Sequence, residues 1–241
     1  MSRVETLDRL IADQLRAEVR SAVIGRHIVV LEQTGSTNDA ILRFASSQDT
    51  PASRPPYRVD EGLVLFAEHQ TAGRGQRGNR WESTAGKGLW FSILLQPEIP
   101  LSDSGQLTIW AITAISDVIR SEFGLEPTIK LPNDVQLTGQ KVAGVLVEMR
   151  AQDKAPHLAV VGIGINVNQS RHDFPGQLRG RALSLAMALG QQVNRLDLAV
   201  ALLRKLDLTY REKFSKAVAP FNYSTALTTT RDKRAAKFPR A

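Results

Sequence analysis

The stretch IKLPNDVQLTGQKVAGVLVEMRAQDKAPHLAVVGIGINV, residues 129–167, decides the fold of this 241-residue chain. It contains four apolar, strand-like runs, which are IKL, DVQL, KVAGVLVEM and HLAVVGIGINV, and the segments between them are short. Parallel strands need a crossover of a dozen or more residues, so these short connections favour antiparallel hairpins. The stretch therefore predicts a sheet built mainly from neighbouring antiparallel strands.

Helices and further strands are expected on either side of this stretch. Apolar runs typical of strands occupy residues 28–34, 63–70 and 88–96. Apolar residues at helical spacing predict helices over residues 5–19, 105–123 and 196–214, and STND (36–39) supplies N-cap residues for a short helix. The pattern predicts an α+β fold, a mixed but mainly antiparallel sheet with packed helices.

Composition limits the possible functions. The chain has no cysteine, which excludes disulfides, thiolate metal sites and thiol nucleophiles. It has no apolar run long enough for a membrane span, and its first residues lack an apolar signal core, so a cytoplasmic location and no membrane partner are expected. Residues 231–241 hold five basic residues and one acidic residue, which is four of the seven net positive charges. DNA binding would rest on this tail alone and is not expected.

A glycine- and arginine-rich segment, HQTAGRGQRGNRWES (69–83), lies between two predicted strands. Its spacing matches neither the phosphate loop GxxxxGKS/T nor a GxGxxG that opens a helix. Glycine permits close approach to a ligand, and arginine offers donors suited to phosphate. Two interpretations follow: a loop that closes on an anion, or a solvated arginine-rich hairpin. Trp81 would correspondingly pack on an aromatic base or anchor the end of the loop.

A lysine and two turn-forming residues follow in IKLPNDV (129–135). Lys130 ends a short strand just before a proline, and its ammonium group suits a phosphate or a developing charge on a carboxylate. Asn133 and Asp134 are typical turn formers. Asp134 is alternatively a candidate ligand for magnesium.

Glycines interrupt two of the apolar strands. Gly144 lies within KVAGVLVE (141–148), and Gly162 and Gly164 lie within GIGINVN (162–168). A glycine inside a strand marks close approach of a ligand or of another backbone, and for Gly162 and Gly164 a β-bulge is the alternative. In the first case the glycines would open one face of the sheet to a flat ligand, and Asn166 would supply amide hydrogen bonds.

Five motifs occur in one order: STN (36–38), EHQTAGRGQRGNRW (68–81), KLPND (130–134), KVAGVLVE and GIGINVN. The series resembles the catalytic domain of biotin protein ligases, also called biotin–[acetyl-CoA-carboxylase] ligases, over roughly residues 25–215. The resemblance implies a fold akin to class II aminoacyl-tRNA synthetases. It also implies two steps: biotin and MgATP form biotinyl-5'-AMP, and a lysine of a biotin carboxyl carrier domain then attacks the mixed anhydride.

The resemblance also implies residue roles. Lys130 would be the main catalytic charge, in contact with the biotin carboxylate and the α-phosphate. The biotin-binding residues would be Ser36, Thr37, Asn38, Gln70, Arg74, Gly75 and Gln76. The nucleotide-binding residues would be Arg77, Gly78, Trp81 and Asn166. Magnesium would accompany ATP, and a role for Asp134 in holding it stays open.

The chain departs from the family pattern at three points. Gln76 replaces a second loop arginine, so either Arg77 or Arg80 substitutes for it or the enzyme is slow or leaks adenylate. Leu131 replaces a tryptophan, which is expected to change packing alone. The expected organisation is a catalytic domain over residues 1–220 and a disordered basic tail over 221–241. The family's small C-terminal domain and its N-terminal winged helix are not expected, which argues against a repressor role.

The leading hypothesis is therefore a monofunctional biotin protein ligase. Two alternatives remain open at this point: a catalytically impaired binder of biotin or biotinyl-adenylate, and a lipoate ligase-like enzyme. The expected partners are biotin, ATP and a biotin carboxyl carrier protein, and an oligomer is possible.

Overall fold

The computed structural model describes residues 8–46, 61–152 and 157–214. They form one seven-stranded sheet in the order β1-β2-β3-β7-β6-β5-β4. The strands are β1 (Ile28–Thr34), β2 (Val64–Gln70), β3 (Gly88–Leu95), β4 (Thr128–Lys130), β5 (Asp134–Leu137), β6 (Gln140–Arg150) and β7 (Leu158–Asn166). The helices are α1 (Ala12–Val19), α2 (Thr37–Ser46), α3 (Gly105–Phe123), α4 (Leu185–Leu189) and α5 (Arg195–Phe214).

The sheet is mixed but mainly antiparallel, as predicted. Strands β1 and β2 are parallel, and α2 lies on the connection between them. The other neighbouring pairs are antiparallel, and the four runs of residues 129–167 form consecutive neighbours β4, β5, β6 and β7. The predicted α+β fold is therefore confirmed, and the short connections did specify hairpins.

Two long helices lie where the apolar spacing places them. Helix α3 spans the predicted residues and ends at Gly124, whose φ of 63° is the left-handed conformation that glycine tolerates at a helix C-terminus. Helix α5 begins one residue before its predicted start. These helices pack on each other and on one face of the sheet, where Trp110 contacts Tyr210 and Phe214.

The predicted N-terminal helix is partly wrong. Helix α1 begins only at Ala12, and residues 8–11 are not helical. The backbone N–H of Leu10 donates to the Glu68 carboxylate at 2.8 Å, while the Leu10 side chain is buried. Tertiary contacts thus outweigh the helical pattern at this point. Residues 5–7 of that prediction, and the tail predicted over 221–241, lie outside the described residues.

The two faces of the sheet have different coverings. Alternation along β2 directs Val64 and Phe66 into the main core with α3 and α5, and Leu65 toward the opposite face. On that opposite face α2 contacts β2, β3 and β7, and a smaller apolar cluster forms beneath it. The segment between β2 and β3 covers the part of this face that β6 and β7 form.

Buried charges tie the N-terminal segment to the core. The Arg195 side chain is 1% exposed, and its guanidinium lies 2.7 Å from the Glu68 carboxylate and 3.2 Å from that of Asp8. The Asp207 carboxylate accepts hydrogen bonds from the backbone N–H groups of residues 22–24.

Among the described residues, no helix has the length and apolar character that crossing a bilayer requires.

Candidate active site

The candidate active site lies on the face of the sheet that α2 partly covers. Its floor contains three glycines: Gly144 of β6 lies opposite Gly164 of β7, and Gly162 of β7 lies opposite Ser92 of β3. The strand register is unbroken through both β7 glycines, so the β-bulge alternative is wrong for them. The missing β-carbons leave room that side chains from above occupy, whereas the predicted approach of a flat ligand stays a prediction.

Asn38, at the start of α2, occupies one part of this room. A β-carbon on Gly162 would stand 2.3 Å from Asn38 Oδ1. Asn38 Nδ2 donates to Glu148 Oε2 at 2.7 Å, and the Ser92 hydroxyl donates to Asn38 Oδ1 at 2.6 Å. The amide of this predicted biotin residue is therefore engaged by the protein itself, which fixes α2 on the sheet.

Gln70, at the end of β2, binds Thr37, the first residue of α2. Its Oε1 accepts from the backbone N–H of Thr37 at 2.8 Å and from the Thr37 hydroxyl at 3.2 Å. Within the described part of the chain, neither Gln70 Nε2 nor the Ser36 hydroxyl has a hydrogen-bond partner. Both residues line the same small cavity, so these two groups are free to bind a polar ligand.

The glycine- and arginine-rich segment forms a short two-stranded turn, residues 73–81, over this floor. Arg74 and Arg80 pair as an antiparallel bridge, and Gly75 N–H donates to the Asn79 carbonyl at 2.7 Å. Trp81 N–H donates to the Gly73 carbonyl at 2.9 Å. The segment is therefore a hairpin with exposed arginines that also covers a cavity, and it combines features of both interpretations.

Trp81 lies directly on the glycine floor. A β-carbon on Gly164 would stand 2.6 Å from the indole Cε2, and one on Gly144 would stand 2.9 Å from Cζ3. The ring also meets Trp90 edge-on, with 5.9 Å between centroids. Its buried Nε1 has no hydrogen-bond partner among the described residues. Trp81 is thus an apolar anchor for the end of the turn.

Two cavities meet at Trp81. The inner cavity has a volume of 30 Å³, and its lining includes Ser36, Thr37, Asn38, Gln70, Arg74 and Gly75. The outer cavity has a volume of 460 Å³, and its lining includes Arg80, Lys130, Asp134, Asn166, Phe174 and Arg181. The side chains common to both are Trp81 and Lys141. The inner cavity holds little more than water, whereas ligand pockets are typically about 300 Å³ or larger, so an organic ligand would have to move some of the lining side chains.

Lys141, at the start of β6, is the central residue that the sequence analysis missed. Its Nζ lies 2.6 Å from Asp134 Oδ1 and 5.1 Å from the Trp81 ring centroid. The motif KVAGVLVE begins with this lysine, but alternation along a strand gave no reason to distinguish it from a solvated charge. Only the pairing of β5 with β6 brings it beside Asp134 and under the turn.

Lys130 lies on the exposed edge strand β4 and lines the outer cavity. The register pairs it with Asp134, the candidate magnesium ligand. One Asp134 oxygen is already paired with Lys141, and the described residues contain no group of three or more acidic or histidine side chains able to hold a metal. These residues do not fit a resident metal site.

Asn166 also has internal partners. Its Nδ2 donates to the Leu183 carbonyl at 3.2 Å and to the Lys141 carbonyl at 3.4 Å. Together with the backbone bridge between Lys141 and Ala182, these bonds fix the segment that borders the outer cavity. Asn166 therefore shapes this cavity while its amide nitrogen is already occupied.

The structure groups most predicted site residues but not all of them. Gln76, Arg77 and Gly78 line neither cavity and instead lie along a separate groove beside residues 146–148 of β6. Arg77, with a φ of 57°, is at the tip of the turn and is exposed. Their predicted contacts with a ligand stay predictions.

The site thus combines a small polar cavity with a larger cavity whose lining includes Arg80, Lys130, Lys141 and Arg181. Residues 41–166 match the model of the biotin/lipoate A/B protein ligase family, and the chain belongs to this family. It is 34% identical over 210 residues to the biotin–[acetyl-CoA-carboxylase] ligase of Mycobacterium tuberculosis, covering 83% of this chain and 72% of that protein.

Two further comparisons agree with this family. The bifunctional ligase/repressor BirA of Bacillus subtilis is 32% identical over 212 residues, and the match spans 88% of this chain but 62% of that relative. The structure of the Aquifex aeolicus biotin protein ligase in complex with biotin and ATP superposes with a TM-score of 0.62 at 29% identity. That superposition covers 78% of this chain and 73% of the Aquifex chain.

Proposed function

We propose that this chain is an ATP-dependent biotin protein ligase. It would form biotinyl-5'-AMP and transfer biotin to a lysine of a biotin carboxyl carrier domain. The Mycobacterium tuberculosis relative is a biotin–[acetyl-CoA-carboxylase] ligase, and the Aquifex aeolicus relative binds biotin and ATP. The observation that carries the proposal is the meeting of the two cavities at Lys141 and Trp81. We place the activity in the cytoplasm, where ATP is available.

The two cavities suit the two substrates. The inner cavity would take biotin, with the free Ser36 hydroxyl and Gln70 amide available to its polar ring. The outer cavity would take ATP, because Arg80, Lys130, Lys141 and Arg181 supply positive charge, and Phe174 supplies an apolar surface for a base. The reacting atoms would then meet at the junction beneath Trp81.

In the first step the biotin carboxylate oxygen attacks the α-phosphorus of ATP. A carboxyl oxygen–phosphorus bond forms, the bond to the β-phosphate oxygen breaks, and pyrophosphate leaves. No enzyme base is needed, because the nucleophile is already an anion. Lys130 and Lys141 would neutralise the charge that builds up between the two anions, which is the largest barrier to their approach.

In the second step the uncharged ε-amine of the carrier lysine attacks the carbonyl carbon of biotinyl-5'-AMP. An amide bond forms, the carbonyl–oxygen bond to AMP breaks, and the amine loses a proton to the solvent or to the departing phosphate. The 73–81 turn would exclude water from the anhydride between the steps, since a closed site protects a hydrolysable intermediate.

Magnesium belongs to this proposal as part of the MgATP substrate. Magnesium is usually held by substrate phosphates with only one or two carboxylates, so a dedicated protein cage is not required. Asp134, which lines the outer cavity, is the candidate carboxylate for this role. To bind magnesium it would first have to release Lys141.

The test is ATP–pyrophosphate exchange with biotin, with lipoate and without either acid. The proposal expects exchange that requires biotin, and Lys130→Ala should lower it on the order of 10²–10³-fold. Exchange with lipoate alone would instead assign a lipoate ligase-like enzyme. Biotin binding by calorimetry without any exchange would assign the catalytically impaired binder that Gln76 suggests.

A further inference from the structure

We propose that Glu148 and Asp39 are positioning residues that hold the 73–81 turn over the inner cavity through Arg74. The inference rests on the proposed function, since it concerns how the enzyme retains biotin and biotinyl-adenylate. Neither carboxylate would touch the reacting atoms. They would act on the substrate only through the arginine and the turn that carries it.

The geometry around Arg74 supports this role. Arg74 Nη1 donates to Glu148 Oε1 at 3.1 Å, and Nη2 donates to Glu148 Oε2 at 2.9 Å. Nη2 also donates to Asp39 Oδ1 at 2.8 Å. The guanidinium thus makes a two-pronged pair with one carboxylate and a further contact with a second, which fixes both its position and its plane.

Arg74 is the electrostatic anchor of the turn. Within the described residues, the other ion pair of the turn joins Arg80 to Glu82 and is local, so it does not fasten the turn to the sheet or to α2. Trp81 is the apolar anchor at the other end of the hairpin. Arg74 and Gly75 line the inner cavity, so the arginine holds the part of the turn that lies over it.

Glu148 joins two walls of the inner cavity. The same Oε2 that accepts from Arg74 also accepts from Asn38 Nδ2 at 2.7 Å. Asn38 belongs to α2 and packs on Gly162 of the floor, whereas Arg74 belongs to the turn above. One carboxylate therefore fixes the turn relative to the helix that carries the predicted biotin residues Ser36 and Thr37.

The exposure of these groups suits a contact that opens and closes. The side chains of Arg74, Asp39 and Glu148 are 42%, 47% and 33% exposed. Ion pairs at such sites contribute little stability, so the turn can release them when a substrate enters or leaves. The expected consequence is a specific effect on ligand retention and not on the fold.

Glu148→Gln and Asp39→Asn test the proposal, because each keeps the size of the side chain but removes its charge and replaces one acceptor oxygen with an NH2 donor. In biotin-dependent exchange we expect KM for biotin to rise about fivefold in each variant and more in the double variant. Release of free biotinyl-5'-AMP should rise by a similar factor, while KM for ATP stays unchanged. The control is Glu32→Gln, which removes an exposed carboxylate of β1 that pairs with Arg9.

A double-mutant cycle shows whether Glu148 acts through the arginine. In an Arg74→Gln background, Glu148→Gln should have no further effect on KM for biotin, because the contact is already lost. A readout without activity is trypsin cleavage after Arg77 at the exposed tip, followed by mass spectrometry. We expect Glu148→Gln and Asp39→Asn to speed this cleavage about fivefold relative to wild type and Glu32→Gln.

Each outcome decides between specific conclusions. Wild-type protein without exchange would overturn the proposed function, and the cleavage rates would then still decide whether Arg74 holds the turn. Wild-type exchange combined with unchanged KM for biotin and unchanged cleavage in both variants would overturn the positioning role alone. Equal losses of thermal stability and of exchange rate, with no change in KM for biotin, would also overturn it and indicate a structural role.

Discussion

The indole of Trp81 lies across Gly164 so closely that a β-carbon on this glycine would stand 2.6 Å from the ring. This contact, with the matching one to Gly144, places an aromatic ring where the inner and outer cavities meet. The ring therefore fills the position in which two substrates would have to touch. Substrate binding is expected to move it.

Gly164→Ala should displace the Trp81 ring and fill the floor beneath it. Overpacking of this kind costs about 1–3 kcal/mol, which corresponds to a loss of about five- to 150-fold in kcat/KM for exchange if the site bears the cost. The emission spectrum of Trp81 should change as well. Gly105→Ala is the matched control, because a β-carbon there meets no atom within 4 Å. Normal kcat/KM in Gly164→Ala would contradict this role of the floor.

Lys141→Met should impair adenylate formation although Lys141 was absent from the predicted site. The substitution keeps an unbranched side chain one atom shorter and removes the charge shared by the two cavities, so exchange should fall on the order of 10²–10³-fold. Lys205→Met is the control, since Lys205 pairs with Asp117 at 2.8 Å on the helical face of the molecule. Exchange within about twofold of wild type in Lys141→Met would assign the junction charge to Lys130 alone.

Gln76→Arg should restore a charge that the family's loop carries at this position. Gln76 lines the groove that also contains Glu148, so an arginine there has a carboxylate to pair with. We expect release of biotinyl-5'-AMP to slow about fivefold, as an added exposed pair holds the turn closed. Rapid filtration of enzyme loaded with radiolabelled adenylate measures this rate. Gln106→Arg on α3 makes the same change away from the site, and an equal slowing there would refute the interpretation.

Arg195→Met should destabilise the protein strongly. It leaves Glu68, which is 8% exposed, without its buried counter-charge, and such a loss costs about 3–5 kcal/mol. Urea unfolding followed by circular dichroism gives the free energy of unfolding. Arg120→Met removes pairs of 3.4 Å and 3.6 Å between exposed side chains, and it should cost less than about 1 kcal/mol. Similar losses in the two variants would show that the buried network is not a main source of stability.

Asp173 should make stability depend on acid pH. Burial alone would raise the pKa of Asp173, but hydrogen bonds from Lys87 and Ser170, together with the charge of Lys87, hold that pKa below its ordinary value. The stabilisation is therefore complete above the unfolded-state pKa of about 3.9 and is lost as the pH falls through the lower folded-state pKa. Urea unfolding of wild type and Asp173→Asn should differ most above about pH 5 and converge as the pH falls below the folded-state pKa of Asp173. A difference that grows on acidification would contradict the assignment.

The regular parts of the fold were predictable because their reasons are local. Apolar spacing over 105–123 and a glycine after it define α3, and the short connections within 129–167 define the hairpins. The helix predicted over 5–19 was wrong over residues 8–11, because Leu10 bonds to Glu68, which is 58 residues away in the chain. No local pattern reports such a partner.

Within the site, the sequence by itself determined the family motifs and the candidate residues: the strand glycines, Lys130, Trp81 and Asn166. These depend only on residue type and spacing, which can be compared without a structure. Only the tertiary structure decided that the side-chain amides of Asn38 and Asn166 form hydrogen bonds within the protein, and that Lys141 lies at the junction of the cavities. It also decided that Arg74 meets Glu148. These relationships depend on strand register and on side chains from distant elements, and the energy of each contact exists only once the sheet has brought them together.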